Sequence, residues 1–374
     1  MASKRTPIHS NFRPGNFPSS KWETKGTKPL PEPSSVKKIF LMVILYGCKK
    51  VMFAPSNVIR GYALALFLLS VVAKQLPFPK TYFSRSDNFL NLYFVKLGWF
   101  WTLLVTLPFI LLTSFVYCCG KRDRILKHLA RLVVATCFWF CLTKLFVYVE
   151  SSIGSCIGRD ISKDTLKLNK VDCISQKYFW RGFDISGHVF LLIYSILIQM
   201  EEAKVIQGWE SLEDFIRNED HSRQNKTQNN GPLCSLSAKD FECVKLSYAK
   251  FTNIIRALFI CMTVLTLIWN VMLLSTMVYF HDVAEKLISG VIAVLSWAFT
   301  YKVWFASPHI LPHSPGEGDF KYFKEALTVV PPPRRKRTNV VNEKGERIPT
   351  FLGMPLYGHQ TQKTTQTNGN QSRS

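Results

Sequence analysis

The chain has 374 residues, a formal charge of +22, and 47% hydrophobic residues, with 28 copies of phenylalanine. This combination excludes an ordinary soluble domain and is typical of a membrane protein with basic cytosolic segments. It also argues against a nucleic-acid-binding protein, because the lysines and arginines lie in tails and short loops between apolar runs and not along one helix face.

Residues 1–57 are predicted to form a basic cytosolic tail. The first 35 residues are rich in Pro, Ser and Lys, which predicts disorder, and we expect no cleavable signal peptide there. The apolar run Ile39–Tyr46 is too short to cross a bilayer, since about 20 residues are needed. Lysines flank this run on both sides, so we predict an interfacial helix there.

Residues 58–305 contain six long apolar segments, and we predict that each forms a transmembrane helix. The segments are Val58–Leu76, Asn91–Cys118, Leu129–Val149, Phe183–Met200, Ile254–Phe280 and Lys286–Phe305. The predicted fold class is therefore an all-α membrane protein with six transmembrane helices and disordered cytosolic tails.

The distribution of basic residues predicts the orientation. Six spans place the N-terminal tail, the basic connection Lys121–Lys127 and the tail with Arg334–Arg337 on one side, which the positive-inside tendency makes cytosolic. The connection Glu201–Lys250 is long and polar, so we expect a flexible cytosolic segment. Residues 306–374 are expected to be a disordered basic tail that contacts anionic headgroups and cytosolic protein partners.

Two cysteines differ from the other eight. Most cysteines lie in or beside apolar runs, whereas Cys156 and Cys173 both fall in the polar stretch between spans three and four. That stretch is lumenal in the predicted topology. A lumenal disulfide and a pair of free thiols both fit this pattern.

Two histidines are predicted at the same membrane face. His188 begins the fourth span, which enters from the lumen, and His281 lies in the short turn between spans five and six. Ionisable groups at the edge of a span are costly and often functional. Imidazole transfers protons near neutral pH and also acts as a nucleophile, so the pair is a candidate catalytic site.

Acidic residues stand next to both histidines. Asp184 precedes His188 by four residues, while Asp282 and Glu285 flank His281, with Glu285 at the spacing that orients an imidazole. A single histidine of this kind also fits a simple interfacial residue. No metal is expected, because neither histidine has a second His or Cys at helical spacing and no Cys-x-x-Cys motif is present.

The residues around these histidines resemble a known family. The run Gly182–His188, continued by Phe190–Leu192, looks like the signature of the fat-storage-inducing transmembrane (FIT) family. Four further segments support this resemblance: Asn91–Lys96, Gly154–Cys156, Tyr279–His281 and Leu295–Tyr301. The resemblance covers about residues 58–305 and leaves out both tails and the Glu201–Lys250 connection.

The resemblance implies a multi-pass protein of the endoplasmic reticulum membrane, with both termini cytosolic, that supports lipid droplet formation. It also implies an acyl-coenzyme A diphosphatase with a lipid phosphate phosphatase-like core and a lumenal active site, and we expect no cofactor. Its substrate would be fatty acyl-CoA, and its products acyl 4′-phosphopantetheine and adenosine 3′,5′-bisphosphate. In that superfamily a Ser-Gly-His motif and a later His-x-x-x-Asp motif supply the two histidines. Ser186-Gly187-His188 matches the first motif, and His281 with Glu285 matches the second with Glu for Asp.

The sequence departs from the superfamily at the phosphate-binding groups. The lysine- and arginine-containing motifs of the superfamily are missing, so other residues must hold the phosphates. Our candidates are Lys96, Lys144 and Arg181, together with Asn91. Each lysine also fits simple snorkelling to headgroups, and Asn91 fits a helix cap.

Two other functions compete with the diphosphatase. Apolar spans with few polar groups also fit a non-catalytic protein that binds triacylglycerol or diacylglycerol and promotes droplet budding. A transporter ranks last, because the spans carry few charges and show no inverted repeat.

Overall fold

The computed structural model divides the chain into two compact units, residues 1–323 and 324–374. The structure describes residues 35–76, 78–85, 87–157, 165–166, 168–226, 231–307, 312–322, 350–351 and 354–355. The predicted disorder of residues 1–34, and of most of the C-terminal tail, lies outside the described residues.

Helices account for nearly all of the described part of the first unit. The α-helices are α1 (Val36–Met52), α2 (Ser56–Gln75), α3 (Gly98–Tyr117), α4 (Arg122–Ile153), α5 (Lys170–Ser175), α6 (Gly187–Ala203), α7 (Ser211–Gln224), α8 (Ala238–Tyr279) and α9 (Val283–Trp297). Short 3₁₀ turns lie at Tyr82–Ser84 and Lys204–Ile206. One π-helical segment, Leu90–Val95, leads into α3, and another, Ala298–Trp304, continues α9.

Each of the six predicted spans coincides with a helix, and the all-α membrane fold is confirmed. Within the described residues, five helices are long and apolar enough to cross a membrane: α2, α3, α4, α8 and α9 with its π-helical extension. The fourth predicted span corresponds to α6, which has 17 residues and is slightly shorter than the usual crossing length of about 20. The count of six spans therefore stays a prediction.

The bundle is built around α8, which packs against α1, α2, α3 and α6, while α6 also packs against α9. Several hydroxyl groups inside the bundle are satisfied within their own helices: the side chains of Thr102, Thr263 and Thr276 donate to the carbonyl four residues earlier. Backbone groups likewise need internal partners where lipid surrounds a helix. This arrangement lets polar residues line the helix contacts of an apolar bundle.

The expectation that Glu201–Lys250 is a flexible segment is wrong. Its residues form α7 and the first three turns of α8, and the side chains of Trp209, Leu212 and Val244 are fully buried there. Its charges are paired with one another: Arg223 with Glu219, and Lys245 with Asp220. Polar composition predicts solvation, but the Lys245–Asp220 pair joins α8 to α7, and Trp209, Leu212 and Val244 belong to a larger apolar core. The central residues 227–230 lie outside the described part.

Residues 312–322 also differ from the expected disordered tail. Phe320 and Tyr322 are buried, and Asp319 pairs with Lys121 at 3.1 Å and with Arg124 at 2.7 Å. The segment therefore lies against the α3–α4 connection. Lys121 and Arg124 therefore bind Asp319 of the same chain. The positive-inside tendency counts basic residues and does not predict such a pairing.

A buried ion pair lies beneath this segment. Arg131 and Glu202 are 1% and 0% exposed and form two hydrogen bonds of 2.7 and 2.6 Å. Tyr301 donates to the same carboxylate at 2.8 Å. Arg131 also donates to the carbonyl oxygen of His313 at 2.9 Å, so the pair connects α4, α6, the extension of α9 and the segment 312–322.

The predicted interfacial helix is present as α1, which is longer than the apolar run Ile39–Tyr46. Its Leu45 and Met52 are buried against the bundle, whereas Phe40 and Val43 are exposed. Lys38 pairs with Glu213 of α7 at 3.1 Å. One face of α1 is thus bound to the protein, and its contact with a membrane surface stays a prediction.

A small sheet precedes α6. Its strands β1 (Ser155–Ile157), β2 (Thr165–Leu166) and β3 (Phe179–Arg181) are antiparallel in the order β2-β1-β3. Cys156 of β1 and Cys173 of α5 are joined by a disulfide and are fully buried. The Trp180 ring lies so close to Gly154 that a Cβ there would sit 2.3 Å from it, so only glycine fits.

Replacing Cys156 with Ser is expected to destabilise this sheet. The disulfide closes a loop with a sequence separation of 17 residues, and loops of that size gain about 3 kcal/mol from the crosslink. We expect a lower melting temperature in detergent by differential scanning fluorimetry. Cys234→Ser is the matched control, since Cys234 is an exposed free thiol; equal melting temperatures for the two variants would contradict this prediction.

The second unit is described only where two short strands pair. β4 (Thr350–Phe351) and β5 (Met354–Pro355) are antiparallel, with Thr350 opposite Pro355.

Candidate active site

His281 occupies a strained position in the turn between α8 and α9. Its φ angle is +57°, a left-handed conformation that is uncommon for residues other than glycine and asparagine. The turn is held by a capping box in which Asp282 and Glu285 cap the first turn of α9. The backbone N–H of Asp282 donates to the Glu285 carboxylate at 3.0 Å. The local sequence thus fixes the direction in which the imidazole points.

Glu285 also joins this turn to the stretch before α6. One carboxylate oxygen accepts from the backbone N–H of Asp184 at 3.2 Å, and the other lies 3.5 Å from Nδ1 of His281. The Asp184 carboxylate lies 3.5 Å from the same Nδ1. Two acids therefore face Nδ1, and Nε2 is the ring nitrogen left for a substrate. Burial raises the pKa of Asp184, and the neighbouring His281 opposes that shift.

Ser186 and His188 are positioned by the start of α6. Ser186 is the N-cap, and its buried side chain accepts from the backbone N–H of Val189 at 3.4 Å. Its carbonyl accepts from the hydroxyl of Ser289 in α9 at 2.6 Å. Ser186 therefore supports the loop and fixes the helix start. His188, the second residue of α6, is half-buried beside it.

His188 interacts electrostatically with His281, although the two histidines are about ninety residues apart in sequence. The charge of Lys96 also acts on His188. Lys96 follows the π-helical segment Leu90–Val95 and is exposed. The site thus brings together two imidazoles, two carboxylates and a lysine from three separate parts of the chain.

The other proposed phosphate-binding residues stay predictions. Lys144 is exposed on α4, with its ammonium 5.7 Å from the centre of the Phe140 ring. Arg181 is exposed on β3, opposite Ser155 of β1. The backbone N–H of Asn91 donates to the side chain of Asn88 at 2.7 Å, which holds the turn before α3.

Two lysines near the site were not among the sequence-based candidates. Lys74, at the end of α2, pairs with Asp282 at 3.0 Å. Lys286, in the first turn of α9, is buried and donates to the carbonyl oxygen of Met277 at 2.9 Å. In the sequence Lys286 marks only the start of the sixth predicted span, although its position beside Glu285 is a usable signal. With Asp282 bound to Lys74, Asp184 is the acid that joins Glu285 at His281.

Comparison with known proteins gives a consistent result. A family model described as fat storage-inducing transmembrane protein matches residues 79–301, more than half of the chain. The chain is 40% identical to acyl-coenzyme A diphosphatase FITM2 of Drosophila melanogaster over 399 aligned residues, covering 96% of this chain and 93% of that protein. It is 35% identical to the protein of the same name from Xenopus laevis, covering 64% and 78%, and 33% identical to that from Homo sapiens, covering 67% and 84%. No solved structure matches.

Proposed function

Because this chain belongs to the fat storage-inducing transmembrane (FIT) family, we propose that it is a fatty acyl-coenzyme A diphosphatase whose reaction uses His281 and His188. It splits the pyrophosphate of acyl-CoA into acyl 4′-phosphopantetheine and adenosine 3′,5′-bisphosphate. The observation that supports this best is the placement of His281, whose Nδ1 lies 3.5 Å from the carboxylates of both Asp184 and Glu285.

In the first step Nε2 of His281 attacks one phosphorus atom of the pyrophosphate. A nitrogen–phosphorus bond forms, the bridging phosphorus–oxygen bond breaks, and His188 gives a proton to the departing oxygen. Asp184 and Glu285 lie 3.5 Å from Nδ1, where they stabilise the positive charge that develops on the ring. We assign Lys96, whose charge acts on His188, to balance charge on the phosphoryl oxygens.

In the second step His188 acts as the base. It removes a proton from a water molecule, whose oxygen attacks the phosphorus, and the nitrogen–phosphorus bond of His281 breaks. The second product leaves and both imidazoles return to their starting states. One residue serves as acid and then as base, as microscopic reversibility requires of a two-step displacement.

The site is proposed to face the lumen of the endoplasmic reticulum, with both termini cytosolic. The disulfide-containing sheet lies directly before α6, on the same end of the bundle as His188, and disulfides persist in oxidising compartments. The basic α3–α4 connection follows the opposite end of α3. The reaction product and the membrane setting fit a role in endoplasmic reticulum lipid homeostasis and lipid droplet formation.

A product assay tests the activity. Full-length protein purified in detergent and given palmitoyl-CoA is expected to release acyl 4′-phosphopantetheine and adenosine 3′,5′-bisphosphate in equal amounts by mass spectrometry. Release of free coenzyme A would indicate a thioesterase instead. Folded protein that binds neutral lipid and forms neither product would support the non-catalytic alternative and contradict the proposal.

A further inference from the structure

A membrane-facing groove lies beside the candidate active site. It has a volume of about 310 Å³ and runs between α2 and α9, with α6 and the end of α8 at its base. Most of its lining is aliphatic or aromatic. The lining residues on α2 are Ala63, Leu66, Phe67 and Ser70, which repeat at helical spacing along one face.

The α9 side of the groove begins at the catalytic turn. Its first lining residue, Val283, lies two residues after His281, and its last, Leu295, is twelve residues further along the helix. At 1.5 Å per residue the groove extends about 18 Å. One leaflet is about 15 Å deep, half of a hydrocarbon core of about 30 Å. An acyl chain that begins at the membrane surface therefore fits along the groove.

Two polar side chains interrupt the apolar lining, and both lie towards the catalytic end. The Ser70 hydroxyl is buried, with 2% of the residue exposed, and has no hydrogen-bond partner among the described residues. In transmembrane helices such hydroxyls usually donate to a carbonyl of their own helix. Lys286 adds a positive charge close to Glu285 and Asp282. The polar groups of the groove therefore lie at its end beside the catalytic turn, and the rest of its lining is apolar.

We infer that this groove receives the acyl chain of the fatty acyl-CoA substrate, an assignment that rests on the proposed function. The chain lies between α2 and α9 with its methyl end near Ala63 and Leu295. The thioester lies at the Val283 and Lys286 end of the groove, and the pyrophosphate reaches His281 beyond it. Occupancy from the lipid side explains why the groove opens between two helices that face the bilayer.

Filling the groove tests this assignment by chain length. Ala63→Phe places a ring in the groove, whereas Ala65→Phe adds the same ring to an exposed position of α2 outside the lining. For Ala63→Phe we expect KM for palmitoyl-CoA to rise about tenfold or more, with acetyl-CoA cleavage unchanged within about twofold. Ala65→Phe is expected to behave as the wild type. Equal effects of Ala63→Phe on both substrates, or none on palmitoyl-CoA, would overturn the assignment.

A second measurement does not depend on activity. A non-cleavable palmitoyl-CoA thioether with a photoreactive diazirine at the methyl end is expected to label α2 and α9 near Ala63 and Leu295. Excess palmitoyl-CoA should remove the label. If the protein lacks diphosphatase activity but is labelled there, the proposed function fails and the groove assignment stands. If active protein is labelled elsewhere, or if only triacylglycerol displaces the probe, the assignment fails.

Discussion

Replacing His281 with Asn is expected to lower kcat for acyl-CoA cleavage by about 10³-fold or more, because the attacking nitrogen is lost. Asn is the substitution that best separates loss of the imidazole from loss of the turn. It tolerates the positive φ of +57° at this position better than Ala does, so the turn and its capping box should persist. Melting temperature should therefore change little.

His188→Ala is expected to lower kcat by about 10²–10⁴-fold through loss of the acid and base. The double variant should be little worse than the more severe single variant, since residues that act as a unit are not additive. His221→Ala is the control, because His221 lies in α7 and contacts Asn225. If folded samples of both active-site variants turn over acyl-CoA at the wild-type rate, neither histidine is catalytic and the proposed mechanism is contradicted.

Replacing Glu202 with Gln is expected to be the most destabilising change outside the site. It leaves the Arg131 guanidinium buried without a counter-charge, and breaking a buried pair in this way costs about 3–5 kcal/mol. The melting temperature should fall by roughly 5–15 °C, measured by scanning fluorimetry in detergent. The effect should include release of residues 312–322, because Arg131 also holds the carbonyl of His313.

Glu213→Gln is the matched control, since its pair with Lys38 is more than one-third exposed. Exposed pairs contribute less than about 1 kcal/mol, so this variant should melt close to the wild type. Joint replacement of Arg131 with Met and Glu202 with Leu should recover part of the lost stability, because no charge is then left unpaired. Equal melting temperatures for Glu202→Gln and Glu213→Gln would contradict this account of the buried pair.

The long helices were predictable from the sequence, and the proximity of the two histidines is a prediction from the count of spans. Apolar runs of about 20 residues mark the long helices, and counting spans put His188 and His281 at the same end of the bundle. The acid contacts were predictable in part: Glu285 followed from its spacing to His281, whereas Asp184 reaches His281 across two segments that only the tertiary fold brings together.

Other features carried no readable local signal. In the sequence Lys144 and Lys96 both lie near the end of a predicted span. In the structure the charge of Lys96 acts on His188, whereas the ammonium of Lys144 lies over the Phe140 ring. The polar connection that forms α7 is predicted to be a flexible loop because its apolar residues are sparse, yet Trp209 and Leu212 are fully buried and the Trp209 indole donates to Thr252 of α8. Arg131 and Glu202 are 71 residues apart, and no pattern in the sequence pairs them.

A trapped phosphohistidine tests the central claim most directly. Wild-type protein mixed with palmitoyl-CoA, stopped in alkali within one turnover and digested, should show by mass spectrometry a phosphoryl-linked adduct on the peptide that contains His281. The same peptide from His281→Asn should carry none. An adduct on His188, or turnover by the wild type with no adduct on either histidine at any time point, would contradict the account.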